Sequence, residues 1–538
     1  MEGKENRYYS LRVLFLTLVL GILMGLFFSP RMVKLFQTRR AANEMGEKVR
    51  NVMELVASEY VDEIDNDSMT LKVTNAIMSS LDPHSRYIGA EELQRELADI
   101  RGNFEGIGAM LRSDNDTVSV AQTLGNSPAY RAGLRTGDRI ITVDGDTVSG
   151  CGMALEEVIK RIRGPHGVPV TLGIMHYGSK TLTSVEVKRD VITTNSVVYS
   201  GMVDSRTGYI RLTRFSETSY DEVRSALRSM EGKGMRRVVL DLRNNGGGLL
   251  EAAILIANEF LGRGDLIVYT QGAHQRRNDV RADGRGGFQD VELVVMIDEM
   301  SASASEVVSG AVQDNDRGII VGRRSFGKGL VQRQFDLSDG SAVWLTVARY
   351  YTPSGRCIQR PYDKGTDEYY SEYLERILTE SMSDSLLVKN TDTTPYYTVK
   401  GRKVFGGGGI YPDHLLPYYR DSLLAYYNQL ANHRVIDRLA FRLVATEGRK
   451  LAQKYKTAEE FIAQYTVDSA LHQRIIDEGE KAGVKRNDAS IAKYGRHIDT
   501  LLKAYMAEYL FDVEAFYMAY ASIDTDLQAT LKYMDGKR

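Results

Sequence analysis

Between residues 301 and 332 the chain reads SASASEVVSGAVQDNDRGIIVGRRSFGKGLVQ: three serines separated by alanines, then a lysine between two glycines, and no histidine. A serine hydroxyl is a poor nucleophile near neutral pH and needs a base beside it. Ser303-Ala304-Ser305-Glu306 has the S-x-x-E spacing of a capping box, so Ser303 has a purely structural reading as a helix cap. A helix start also offers free N–H groups and the positive end of the dipole, where an oxyanion is stabilised. The two roles are compatible.

Lys328, in Ser325-Phe326-Gly327-Lys328-Gly329, is the candidate base. An exposed lysine titrates near ~10.4 and takes up no proton from serine at pH 7. Desolvation lowers that value by up to several units. Phe326, Leu330 and Val331 supply apolar surroundings, and the flanking glycines let backbone approach. The competing reading is a solvated lysine in a turn. Of the eight histidines, only His274, in a polar loop, falls in the core segments near the serines, and nothing points to a Ser-His-Asp triad. Gly322–Lys328 also matches GxxxxGK of a phosphate loop. Gly329 stands where that loop needs Ser or Thr, and the alternating residues 330–337 read as a strand where it needs a helix, so nucleotide binding is excluded.

The 538 residues are 43% hydrophobic and 26% charged with a formal net charge of −2. That length holds about three or four domains, and the charge exerts no pull toward nucleic acid. Two distant cysteines, Cys151 and Cys357, give neither a disulfide framework nor a metal-site spacing. Val13–Phe28 carries no charge and reads as an uncleaved signal anchor, with a cleaved signal peptide and a core helix as the other readings. Basic residues lie on both sides of it, so charge leaves its orientation open.

The elements that must position the serine and the lysine follow. After the segment 1–29, residues 30–97 show helical periodicity and contain LDPHSRY (Leu81–Tyr87). Residues 98–190 are a strand-rich module with one helix near Met153–Arg163. Residues 191–413 alternate strand and helix. Val238–Leu242 and Leu293–Ile297 are uninterrupted apolar runs suited to strands buried on both faces, which predicts an α/β fold around a largely parallel sheet. The polar stretch 363–400 reads as a loop. Residues 414–538 are helical, with an aromatic stripe that includes Tyr505, Tyr509, Phe516, Tyr517 and Tyr520. That stripe reads as core or as an interface between subunits.

Together these pieces resemble the C-terminal processing peptidases, serine proteases with a Ser–Lys dyad on a crotonase/ClpP-like core. The resemblance covers roughly residues 72–415 and rests on SASASE, SFGKG with VQ after it, LDPHSRY, LDLRNNGGGLL, YTPSGRCIQ and GIYPD, in the family's order. It implies Ser303 as nucleophile, Lys328 as general base and Gln332 as the residue that orients the lysine. It implies oxyanion donors at Ala304 and at a glycine that is either Gly247 or Gly248. Gly246 stands where the family often has proline, and Ser325 where it often has threonine. FEGIGA and SPAYRAGLRTGDRI resemble a PDZ domain, with Gly106, Ile107, Gly108 and Ala109 as the loop that holds a peptide carboxylate. Arg163 is a candidate gating contact. The resemblance implies protein substrates with free C-termini, no metal or organic cofactor, no nucleic acid, and an inner-membrane anchor with the protease in the periplasm of a bacterial cell envelope; the large aromatic faces of residues 414–538 add the expectation of a homo-oligomer paired through the C-terminal helices. Two other readings stand beside it: a PDZ scaffold with a silent core, and a hydratase-like crotonase suggested by fold alone.

Overall fold

The computed structural model describes residues 13–22, 24–25, 30–382, 394–418 and 421–536. It divides into two compact units, Met1–Asn75 and Ala76–Arg538. The first contains the helix Pro30–Glu59 and the start of the helix Asn66–Ser79. Residues 13–22 and 24–25 of the expected anchor are helical, and the rest of Val13–Phe28 lies outside the described residues. Among the described residues no helix is long and apolar enough to cross a membrane, so the expected anchor gains no support.

The second unit is built on a six-stranded sheet in the order Val197–Met202, Thr207–Leu212, Arg237–Asp241, Glu292–Ile297, Ile319–Gly322, His414–Leu415. All neighbours are parallel except the first pair. The apolar runs have the reason anticipated. Alternate side chains of a strand point to opposite faces, and both faces are covered. Val238, Leu240, Val295 and Ile297 pack with the helices Ser219–Glu231, Leu250–Asn258 and Ala304–Asp314. Val239, Val294 and Met296 pack on the other side with Leu527 and Met534 of the last helix, Thr525–Gly536.

A second sheet joins Arg86–Ile88, Leu330–Asp336, Ala342–Tyr351, Leu266–Gln271 and Asn278–Arg281. The strand-rich module has the strand order Ala109–Asp114, Thr117–Thr123, Arg139–Val143, Pro169–Met175, Leu182–Lys188, with Ala109–Asp114 at an edge. Its helix is Leu155–Ile162. The stretch 363–400 departs from the loop expectation. It contains the helix Thr366–Met382, whose Tyr369 and Tyr373 are buried. Their spacing of four is a helical signal that the abundance of polar neighbours obscured.

The seven helices from Leu424 to Gly536 pack against their own chain. Buried Arg112 of the strand-rich module stacks on Phe441 and pairs with Asp437, and Gln122 donates to the carbonyls of Glu508 and Phe511. Buried Arg243 of the core holds Asp524 through both nitrogens, at 3.0 and 2.6 Å, while also binding Asp241. Residues of the aromatic stripe pack within the chain, Tyr505, Tyr509, Phe516 and Tyr520 against the helical core and Tyr517 against the outer face of the central sheet.

Removing one partner of a buried ion pair strands the other, at a cost of roughly 3–5 kcal/mol. Asp524→Ala is therefore expected to lower the denaturant midpoint and to make the last helix sensitive to limited proteolysis, read by mass spectrometry of the C-terminal fragment.

Candidate active site

The strand Glu292–Ile297 ends in a tight turn, and the helix Ala304–Asp314 begins after it. The three serines have separate fates. Ser301 Oγ donates to the Leu242 carbonyl at 2.8 Å, and Ser305 Oγ donates to the Asn245 carbonyl at 2.8 Å. Both are fully buried and tie the turn to the 242–245 loop. Ser303 is half-buried and lines a cleft of about 600 Å³ together with Lys328, Gln332 and Gly246–Gly248. Its backbone has φ 55° and ψ −111°, outside the helical and extended regions. A non-glycine residue held there costs about 1–3 kcal/mol, a strain that clusters at functional sites.

The capping-box spacing is present, but the Ser303 side chain makes no cap hydrogen bond. The Glu306 N–H donates to the Ser303 carbonyl instead, and the Glu306 carboxylate does more than cap. Its Oε2 accepts from the N–H of Ser303 at 2.8 Å and from the N–H of Lys328 at 2.9 Å. Its Oε1 accepts from the N–H of Gly327 at 2.7 Å and from Ser325 Oγ at 2.5 Å. One buried side chain thus fastens the serine's backbone and the lysine's backbone to the same two oxygens.

Lys328 Nζ donates to Gln332 Oε1 at 3.0 Å. Gln332 sits on the strand Leu330–Asp336, where the register slips between Val331 and Gln332; such a bulge re-aims a side chain. Burial lowers the Lys328 pKa, and the positive charge of Arg86 lowers it further; Asp82 and Glu306 oppose this. Depression makes the amine neutral, and therefore basic, at lower pH than an exposed lysine.

The loop 245–248 faces Ser303. At Gly247 φ is +103°, and a Cβ there would lie 2.9 Å from Ser303 Cβ and 3.0 Å from the Ala304 nitrogen. Only glycine allows that approach. The Gly247 N–H is committed to Asn245 Oδ1 at 2.9 Å. The N–H groups of Ala304 and Gly248 have no hydrogen-bond partner among the described residues.

The histidine nearest the chemistry is His84, which sequence reasoning passed over in favour of His274. His274 does not line the cleft. His84 lies beside Lys328. Burial, and next the positive charge of Lys328, push its pKa down to about 3, so it is neutral near pH 7. The LDPHSRY motif pointed to this segment without showing its neighbours. Among the described residues no three His, Cys, Asp or Glu side chains converge as a metal site requires.

In the strand-rich module, Gly106 pairs with Asp190, and the carbonyls of Ile107 and Gly108 accept from Ala129 and Leu124. Gly108 has φ +70° against Ser127. Ala109 opens the edge strand, which packs beside the helix Leu155–Ile162. Arg163, at the end of that helix, is exposed and stacks over Phe104, 4.6 Å from the ring centroid.

Each buried N–H left without an acceptor costs about 1–3 kcal/mol. Glu306→Gln replaces one accepting oxygen by a donor and strands two of the four groups. It is expected to lower stability by roughly 2–5 kcal/mol, read by denaturant unfolding, and to remove turnover while the protein remains folded.

The sequence matches the peptidase family S41 over residues 206–367, the PDZ domain over 96–175, and a family of unknown function over 426–512. A carboxy-terminal-processing protease of Bartonella bacilliformis is 35% identical over 353 residues, which cover 63% of this chain and 80% of that one. A CtpA-like serine protease of Staphylococcus aureus is 32% identical over 349 residues, 64% of this chain and 68% of that one. Among solved structures, a photosystem II D1 C-terminal processing protease matches at 31% identity and a TM-score of 0.33, covering 57% of this chain and 82% of that one. The chain therefore belongs to the S41 family of carboxy-terminal-processing serine proteases and carries a PDZ domain.

Proposed function

We propose that the chain is an endopeptidase in which Ser303 is the nucleophile and Lys328 the general base, acting on proteins delivered by their C-terminal tails. The observation that carries this reading is the convergence on one cleft of a half-buried serine at a helix start and a desolvated lysine, both fastened to Glu306. Ser303 Oγ attacks the scissile carbonyl while neutral Lys328 takes its proton. The resulting ammonium then protonates the leaving amine, and a water molecule releases the acyl group by the reverse sequence. Gln332 accepts from Lys328 and holds the amine in place. The N–H of Ala304 and the N–H of Gly248 receive the oxyanion, since that of Gly247 is occupied by Asn245. One such donor contributes roughly 3–4 kcal/mol to the transition state.

The substrate tail adds as a strand along Ala109–Asp114, its carboxylate on the N–H groups of Gly106–Ala109. Arg163, at the mouth of this groove, gates the site when a tail is bound. The cell envelope, with the N-terminal apolar segment as anchor, is the location consistent with the charge-free run 13–28.

The test is cleavage of a dye-labelled, unstructured protein by the chain from residue 31 onward, across pH 6 to 10. Wild type is expected to show activity that rises with pH as Lys328 loses its proton, with the midpoint below that of an exposed lysine. Lys328→Ala is expected to lose about 10²–10⁴-fold, and Ser303→Ala to lose turnover. Activity surviving in Lys328→Ala overturns the reading and directs attention to His84. Binding of C-terminal peptides without any turnover establishes the scaffold instead.

A further inference from the structure

The segment Asp82–Arg86 has no part in the reaction just described, yet it closes on the base. The Asp82 carboxylate accepts from the N–H groups of His84 and Ser85, both at 2.8 Å, and from Ser85 Oγ at 2.6 Å. Asp82 and Ser85 are buried, so this turn is held by three hydrogen bonds out of water. Ser85 Oγ in turn accepts from the N–H of Thr346 at 3.0 Å. Thr346 is the residue paired with Gln332 across the sheet. The loop is completed by Gln332 Nε2, which donates to the carbonyl of His84. The His84 ring is fixed from the other side, with Nε2 3.2 Å from Tyr369 Oη and the ring against Phe326, two residues before Lys328.

This ring of contacts has a directional consequence. A carboxamide has donors at one end and an acceptor at the other. The His84 carbonyl can pair only with Nε2, so Oε1 is turned to Lys328 Nζ. The reverse orientation would set oxygen against oxygen at His84 and engage the Lys328 amine lone pair with an N–H donor, taking from it the pair of electrons a base needs. A backbone carbonyl has a further use here, because it neither titrates nor brings charge to the base. We infer that the turn Asp82–Ser85 is the positioning element of the base: it sets the orientation of the Gln332 carboxamide and, through it, the direction of Lys328 Nζ. The turn touches neither substrate nor reacting atoms, and the inference rests on Lys328 being the base.

The experiment is a double-mutant cycle on kcat with Ser85→Ala and Gln332→Ala in the full chain, using the same dye-labelled unstructured protein. Each single variant is expected to lower kcat by about 10- to 100-fold, with KM and the affinity for a C-terminal peptide unchanged. Ser85→Ala is expected to cost less than about threefold more once Gln332 is alanine, since nothing remains to orient. A merely structural role for Ser85 predicts losses that multiply, and that result overturns the inference, as does an unchanged kcat in Ser85→Ala. If Ser85→Ala does not fold, Asp82→Asn, which takes the acceptor from the Ser85 hydroxyl, enters the same cycle with kcat read on the high-pH plateau of each variant, because the Asp82 charge also raises the Lys328 pKa; the two outcomes are then the same. Lys328→Ala runs alongside. Activity retained there overturns the Ser–Lys reading and this inference together; activity lost there, with multiplying losses in the cycle, overturns this inference alone.

Discussion

The arrangement depends on one buried carboxylate. Glu306 accepts four hydrogen bonds, from the backbone of Ser303, from the backbone of Lys328, from Gly327 and from the Ser325 hydroxyl. A carboxylate has two oxygens with about four lone-pair positions between them, so the side chain is saturated and has no freedom to drift. Burial raises its pKa and the four donors counter that. The geometry of the cleft is thereby referred to a single point. Ser303 follows a strand of the central sheet and Lys328 lies in the loop between the two sheets, yet their relative position is fixed by a group that is neither of them.

Around that point the other constraints are those of close approach. Glycine at 247 lets the loop 245–248 touch the turn at Ser303, and Asn245 occupies the Gly247 N–H. Ser301 and Ser305 bind the same loop from the other side. The triplet of serines is thus one cleft-facing position between two buried clamps.

Much of this was legible in the sequence, and for physical reasons. Strands covered on both faces lose the polar alternation, so Val238–Leu242 and Leu293–Ile297 declared the central sheet. The S-x-x-E spacing located the helix start, and the glycines around Lys328 marked a close backbone approach. What stayed hidden was pairing at long range. The capping spacing gave no sign that Glu306 also reaches Ser325, Gly327 and Lys328, because that depends on how two sheets meet. LDPHSRY was visible as a motif, but its contact with Gln332 spans 248 residues. The helix Thr366–Met382 was masked by its charged residues, although Tyr369 and Tyr373 already shared a face. The aromatic stripe near the C-terminus was legible as core or interface, but which surface it covers was not, since nothing local reveals that Tyr517 meets the central sheet while Tyr505, Tyr509, Phe516 and Tyr520 meet the helical core.

That last packing sets the order of events when the chain is made. The outer face of the central sheet is sealed by Leu527 and Met534, and Arg243, beside the oxyanion loop, finds its partner Asp524 281 residues later. Until translation reaches those positions, Val239, Val294 and Met296 lie uncovered and a buried arginine lacks half its charge balance. A chain still on the ribosome therefore holds the serine and the lysine long before it holds the surface that completes their sheet. The central sheet is thus covered on both faces only once the segment Thr525–Gly536 has been made.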